Sequence, residues 1–309
     1  MNNIENSILK TLAFDDIFDR PLLLDEIWRF LYKTPASKLQ VFMGIKTLLK
    51  KEKIQKATSE KSQNIYYYLA GKEKIVQKYF QNFVISQKHL KKVSWIINIL
   101  RKSPFIKNIS VINSLSFNTS NVDSDIDILI VAKKGKLWTA RAITILLLEI
   151  MGQNKNKWYK AGKFCVGFAF DETRLNLTKI RFKKDIYFTH WLANLIPVYD
   201  QGIYKNLIEK NSWIKEELPN WEEKEVKIEN SKLGILEKLL TGKFGKSLEN
   251  WLAKIQINRI LKDPENHRKG ASVIADESMM KLHAYDKRNE YQKDWEAKYW
   301  GLTKKEKLR

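Results

Sequence analysis

The chain predicts an α+β fold: a small mixed sheet with helices packed on it, a helical unit before it and a helical C-terminal region after it. Three observations carry this expectation. Between residues 105 and 200, short apolar runs rich in β-branched residues alternate with stretches of helical periodicity. Residues 1–70 set three short amphipathic segments ahead of two strand-like runs. Beyond residue 200 the pattern is mostly helical and dense in charge.

The elements follow in order. Ile4, Ile8, Leu9 and Leu12 recur at helical spacing; Leu24, Ile27, Trp28 and Leu31 mark a second helix after the turn Asp19-Arg20-Pro21. Thr34-Pro35 punctuates, and Leu39, Phe42, Ile45, Leu48 and Leu49 give a third. Strands are expected over 53–57 and 64–69, joined by the polar loop 58–63. A long helix over 71–102, striped by Ile75, Tyr79, Phe83, Leu90, Val93, Ile97 and Leu100, ends at Pro104. Then come strand 106–112, a short helix from about 114, strand 126–131, helix 136–151, strand 163–170 and helix 185–195. The last third reads as a helix over 204–218, a charged connector over 221–230, and a long helix or a pair broken near Gly242 and Gly245. A strand over 271–276 and a frayed Lys-rich end complete the reading. The expected units are 1–70, a connecting helix over 71–104, 105–200, and 201–309.

Bulk properties narrow the function classes. The chain has 309 residues, 44% hydrophobic and 12% aromatic, as folded globular proteins do. Its one cysteine, Cys165, lies in the apolar run 164–170 and excludes an internal disulfide or a cysteine zinc cluster; a small core residue is expected. The first residues carry no basic-then-apolar signal pattern, and the longest apolar stretch, Ala142 to Met151, is too short to span a bilayer. A cytoplasmic protein without a membrane partner is the expectation. The formal charge of +21 is permissive of a polyanionic partner, although a lysine-rich composition produces the same excess.

The most telling residues are Asp125 and Asp127, which open the run Asp-Ile-Asp-Ile-Leu-Ile-Val. Side chains alternate along a strand, so both acids share one face, about 7 Å apart. Ionised carboxylates at the mouth of a buried strand need a partner, and a hard divalent cation such as Mg²⁺ is one. An exposed loop leading into the strand is the alternative reading of the same pair.

Two resemblances extend this reading. Three helices closed by a hairpin, in this order and length, resemble a winged helix-turn-helix domain. In that likeness the third helix reads a groove and the 58–63 loop is the wing, which implies DNA or RNA contact through residues 36–63, where Lys38, Gln40, Lys46, Lys50, Lys51, Lys53, Lys56 and Lys61 fall. Winged helices also serve as protein–protein adaptors. Residues 105–170 resemble the nucleotidyltransferase superfamily of DNA polymerase β and the kanamycin-type transferases. The acidic element Asp125-Ile126-Asp127-Ile128 matches that signature fully, and Ile112-Asn113-Ser114 stands where apolar-Gly-Ser is found, ten residues ahead.

That resemblance implies roles. Ser114, helped by Ser116 and the turn at Asn113, would hold the triphosphate of an NTP. Asp125 and Asp127 would hold Mg²⁺, which orients an attacking hydroxyl and neutralises the leaving pyrophosphate. The implied function is Mg²⁺-dependent transfer of a nucleoside monophosphate from an NTP to a hydroxyl of an unknown acceptor, with the C-terminal helices walling the acceptor site. The sequence departs from the family at two points. Asn113 replaces the glycine, and the third carboxylate is absent from the strand 164–170, leaving Asp171, or Glu172, just beyond its end. These departures equally suit a nucleic-acid-binding regulator with a degenerate, non-catalytic transferase-like domain.

Other residues divide between core and site. His190 sits on an apolar helix and is expected in the core, and Asp123 in a solvated loop. Arg141 is placed to meet a phosphate or to lie on the surface. Trp138, Trp158, Tyr159 and Trp191 suit either base stacking or packing, and Lys133 and Lys134 either a phosphate rim or a solvated loop.

Overall fold

A computed structural model describes residues 3–59, 63–156, 158–229, 234–283 and 285–304. The N-terminal unit is built from α1 (Asn3–Asp15), β1 (Leu22–Leu23), α2 (Leu24–Arg29), α3 (Lys38–Lys50), β2 (Ile54–Thr58) and β3 (Ile65–Leu69). Its strands pair antiparallel in the order β1-β3-β2. Ser37 starts α3 as a capping box: its hydroxyl accepts from the Gln40 amide, and the Gln40 side chain accepts from the Ser37 amide. The tip of the 58–63 loop, including Lys61, lies outside the described residues.

The buried Arg20 guanidinium joins α1 to α2. It donates to the Asp15 carboxylate at 2.8 Å and to Glu26, with Asp15 fully buried and Arg20 4% exposed. Burial lifts the Asp15 carboxyl to about 7, against the pull of Arg20.

The long helix α4 (Lys74–Leu100) leads to β4 (Ile106–Val111), α5 (Asn113–Ser116), β5 (Ile126–Ala132), α6 (Leu137–Ile150), β6 (Phe164–Asp171), α7 (Ile186–Ala193) and β7 (Ile196–Asp200). Two short helices, α8 (Ile203–Glu209) and α9 (Trp213–Glu217), replace the single helix expected over 204–218. The break near Gly242 resolves into α10 (Ile235–Leu239) and α11 (Lys243–Lys262). The chain then forms β8 (Ser272–Ala275), β9 (Met279–His283) and α12 (Arg288–Lys304).

Among the described residues the main sheet has six strands in the order β7-β4-β5-β6-β9-β8, with β5 and β6 parallel and the other neighbours antiparallel. The fold is therefore mixed α+β around a mixed sheet, as the sequence predicts. Ile126, Ile128 and Ile130 face α4, α6 and α11, while Leu129 and Val131 face α7, α8 and α9. Both faces of β5 are thus covered, which is why its residues after Asp127 are uniformly apolar.

The region after 200 is not purely helical, because β8 and β9 extend the main sheet. Helix α11 docks through Glu249, whose buried carboxylate accepts from the Trp138 and Thr139 amides at 2.8 Å each and caps the first turn of α6. Gly245 is required there: a Cβ would stand 1.8 Å from the Leu240 carbonyl oxygen. Helix α12 returns to the N-terminal unit, with the Trp295 indole donating to the Lys10 carbonyl at 2.8 Å. No helix among the described residues is long and apolar enough to cross a membrane.

Candidate metal and nucleotide site

Strand β5 starts beside the turn that ends β4. The Ile112 amide donates to the Asp127 carbonyl at 3.1 Å, which fixes residue 113 next to the Asp127 side chain. Asn113 adopts φ +58°, the left-handed backbone that favours glycine and that Asn tolerates best among the others. Its amide nitrogen donates to Asp127 Oδ2 at 2.8 Å, and its oxygen accepts from the Trp191 indole at 3.0 Å and the Tyr187 hydroxyl at 3.4 Å. Asn113 thus keeps the glycine-like turn and uses its side chain to orient one acid.

The structure brings Asp125 and Asp127 together, and the third member of the cluster is Cys165. One ligand atom from each lies within 4.8 Å of the others. The parallel pairing of β5 with β6 explains this, since Asp127 sits opposite Cys165. Asp171 is a correction to the sequence reading. It pairs with Ala132 at the other end of the strands, about 16 Å along. Its carboxylate instead accepts from the Gly135 and Thr173 amides at 2.9 Å each and shapes the turn after β5. Glu172 accepts from the Lys134 amide, and Asp123 is exposed in its loop. No acid beyond the aspartate pair joins the cluster among the described residues.

Lys155, which the sequence reading did not single out, completes the group. Its ammonium sits on Asp125 Oδ2 and lies 3.8 Å from the Cys165 sulfur. The amide of Lys155 donates to the Phe164 carbonyl at 2.9 Å, and this tie to the edge of β6 delivers the side chain.

The electrostatics follow from crowding. Burial first, then the neighbouring Asp125 carboxylate, push Asp127 up to about 6, against the Asn113 amide, Lys155 and the Cys165 thiol. Burial and then Asp127 push the Cys165 thiol up to about 12, so it stays protonated at neutral pH. Burial lowers Lys155, but Cys165 and the two aspartates outweigh it and hold the ammonium up to about 12. Two carboxylates therefore face one fixed cation, and the donor set left for a metal is hard oxygen with a neutral thiol. The cluster could hold a metal ion, and its two carboxylates suit a hard divalent cation better than a protonated thiol does.

The residues expected to bind phosphate are only partly brought to this place. Ser114 stands in the turn, half-buried, with its hydroxyl 3.3 Å from that of Ser120. Ser116 is turned inward; it is 6% exposed and donates to the Asn113 carbonyl at 2.9 Å. His190 is core: it stacks on Phe14 at 3.9 Å, and burial pushes its imidazole down to about 3. Trp138 is also core, whereas Trp158 and Tyr159 are exposed. Trp191 and Tyr187 act by holding Asn113, a role that no sequence pattern announces. Comparison with protein-family models, curated proteins and solved structures returns no match.

Proposed function

We propose that the chain is a Mg²⁺-dependent nucleotidyltransferase of the polymerase β type, moving a nucleoside monophosphate from an NTP to an acceptor hydroxyl. The observation that supports this most is the convergence of Asp125 and Asp127 beside the positive-φ turn at Asn113-Ser114. A signature read from spacing alone did not require those elements to meet. Mg²⁺, held by Asp125 and Asp127, would supply Lewis acidity at the phosphoryl group. Ser114 binds a phosphate oxygen, Asn113 keeps Asp127 aimed into the site, and Lys155 balances charge next to the reacting phosphate.

The test is consumption of α-labelled NTP with Mg²⁺ and pooled hydroxyl acceptors. Label transfer that disappears in the Asp125→Asn, Asp127→Asn double variant supports the reading, and undiminished transfer in that variant removes the pair from the mechanism.

A second reading is favoured by one specific observation, the Lys155 ammonium resting on Asp125 with a thiol where a third carboxylate is expected. In it, the domain is a non-catalytic scaffold. The N-terminal unit, read as a winged helix, binds DNA or RNA through α3, where Lys38, Lys46 and Lys50 are exposed. Duplex binding that weakens steeply with salt and survives loss of both aspartates supports this reading; no affinity at low salt rules it out.

A further inference from the structure

Behind the acidic cluster, between α6, the start of β6 and α11, lies an open cleft of roughly 750 Å³. Small-molecule sites commonly measure about 300–1,000 Å³. Its wall is apolar, with Ile145, Leu146, Leu252 and Ile260 among the lining residues. Its charge is cationic and unbalanced. Arg141, Arg259 and Lys160 line it, and none of the three has a carboxylate partner among the described ion pairs. Two carboxylates also line it, so with Lys155 counted four cations face two acids. Glu149 accepts from the Asn154 amide, and Asp263 from the Glu265 amide that it caps.

Arg141 is the informative group. Its Nε is sealed from solvent without a hydrogen-bond partner, and the described bond of its guanidinium runs to the neutral Gln256 side chain. Burial and then the nearby Arg259 charge pull it down to about 10. A desolvated guanidinium beside a second cation is unfavourable, and a multivalent anion relieves it. Arginine suits phosphate because its planar donors match two phosphate oxygens at once.

We infer that this cleft binds a small phosphate monoester, its phosphate held between Arg141 and Arg259 and its apolar body against α6 and α11. Cys165 and Lys155 line both the cleft and the acidic cluster, so a ligand there reaches the edge of the metal site. Identifying this ligand with the acceptor rests on the transferase reading; the anion site itself does not.

The experiment is calorimetric titration of phenyl phosphate and of inorganic phosphate into the full chain at fixed ionic strength. Wild type binds both, phenyl phosphate more tightly. The Arg141→Gln, Arg259→Gln variant loses about tenfold or more in affinity, as expected when charge-assisted hydrogen bonds are removed. Its unliganded melting temperature does not fall, because an unrelieved cation has been taken out. Asp125→Asn, Asp127→Asn binds phosphate as wild type does, which separates this site from the proposed metal centre. Equal phosphate binding by the arginine variant and wild type overturns the inference, as does absence of binding to wild type.

Discussion

Asn113 and Asp127 are joined by a 2.8 Å hydrogen bond across the mouth of β5, although fourteen positions separate them in the chain. The residue that departs from the glycine of the transferase pattern is thereby the residue that orients the second acid. The side chain at this turn is a structural part of the cluster.

Replacing Asn113 separates its two roles. Asn113→Gly keeps the left-handed turn and loses only the side-chain bonds to Asp127, Trp191 and Tyr187. Asn113→Ala loses the same bonds and adds backbone strain of about 1–2 kcal/mol. Urea denaturation is expected to rank the alanine variant below the glycine variant by that margin. Equal stability of the two contradicts the backbone argument.

The pH dependence of cation binding follows from Asp127, whose carboxyl is raised from 3.8 to about 6. A raised folded-state value means that the fold favours the protonated form. Its contribution to stability is therefore complete below the unfolded value and is lost as pH rises through about 6. A metal must displace this proton, so affinity rises over the same window. Roughly tenfold tighter Mn²⁺ binding is expected one unit above pH 6 than one unit below it. A flat profile across that range places the titration elsewhere.

Cys165 lies where β6 faces Asp127, so Cys165→Asp introduces a third hard ligand at that position. Without metal the added charge crowds two carboxylates and lowers the melting temperature. With Mg²⁺ the loss is recovered, giving a larger metal-dependent rise than in wild type. Differential scanning fluorimetry with and without Mg²⁺ reads the difference, and identical shifts in the two proteins argue against a metal next to residue 165.

The N-terminal unit depends on one buried cation. Arg20→Gln leaves Asp15 fully buried without its charged partner; its carboxyl, already raised to about 7, then takes up a proton, and a loss of about 1–3 kcal/mol is expected. Chemical denaturation measures it. A loss below 1 kcal/mol, on the scale of an exposed ion pair, means that Asp15 is neutral in the folded protein.

Local pattern made some of this legible and tertiary pairing withheld the rest. The acidic strand could be read because alternation puts Asp125 and Asp127 on one face whatever surrounds them. The turn at Asn113 was readable because few residues tolerate its backbone. Cys165 and Lys155 were not, since which residue lies opposite Asp127 depends on the parallel register of β5 with β6, set by packing between distant segments. Strand β9 was hidden by Lys281, a charge in a strand that is 1% exposed and is satisfied by Ser272 and Asp286. Helix α12 was hidden by its polar composition, with Trp295 its buried anchor in the N-terminal core. Asp171 looked suitable from its position at a strand end, but a parallel neighbour carries that end away from the pair.

If Asp125 and Asp127 hold a divalent cation, the Lys155 ammonium on Asp125 is its resident competitor. Titration of Mn²⁺ alone, without nucleotide, followed by electron paramagnetic resonance, tests it most directly. Wild type is expected to bind the ion, Lys155→Ala to bind it about three- to tenfold more tightly, and Asp125→Asn, Asp127→Asn to lose it. Mn²⁺ bound as well by the double variant as by wild type contradicts the account.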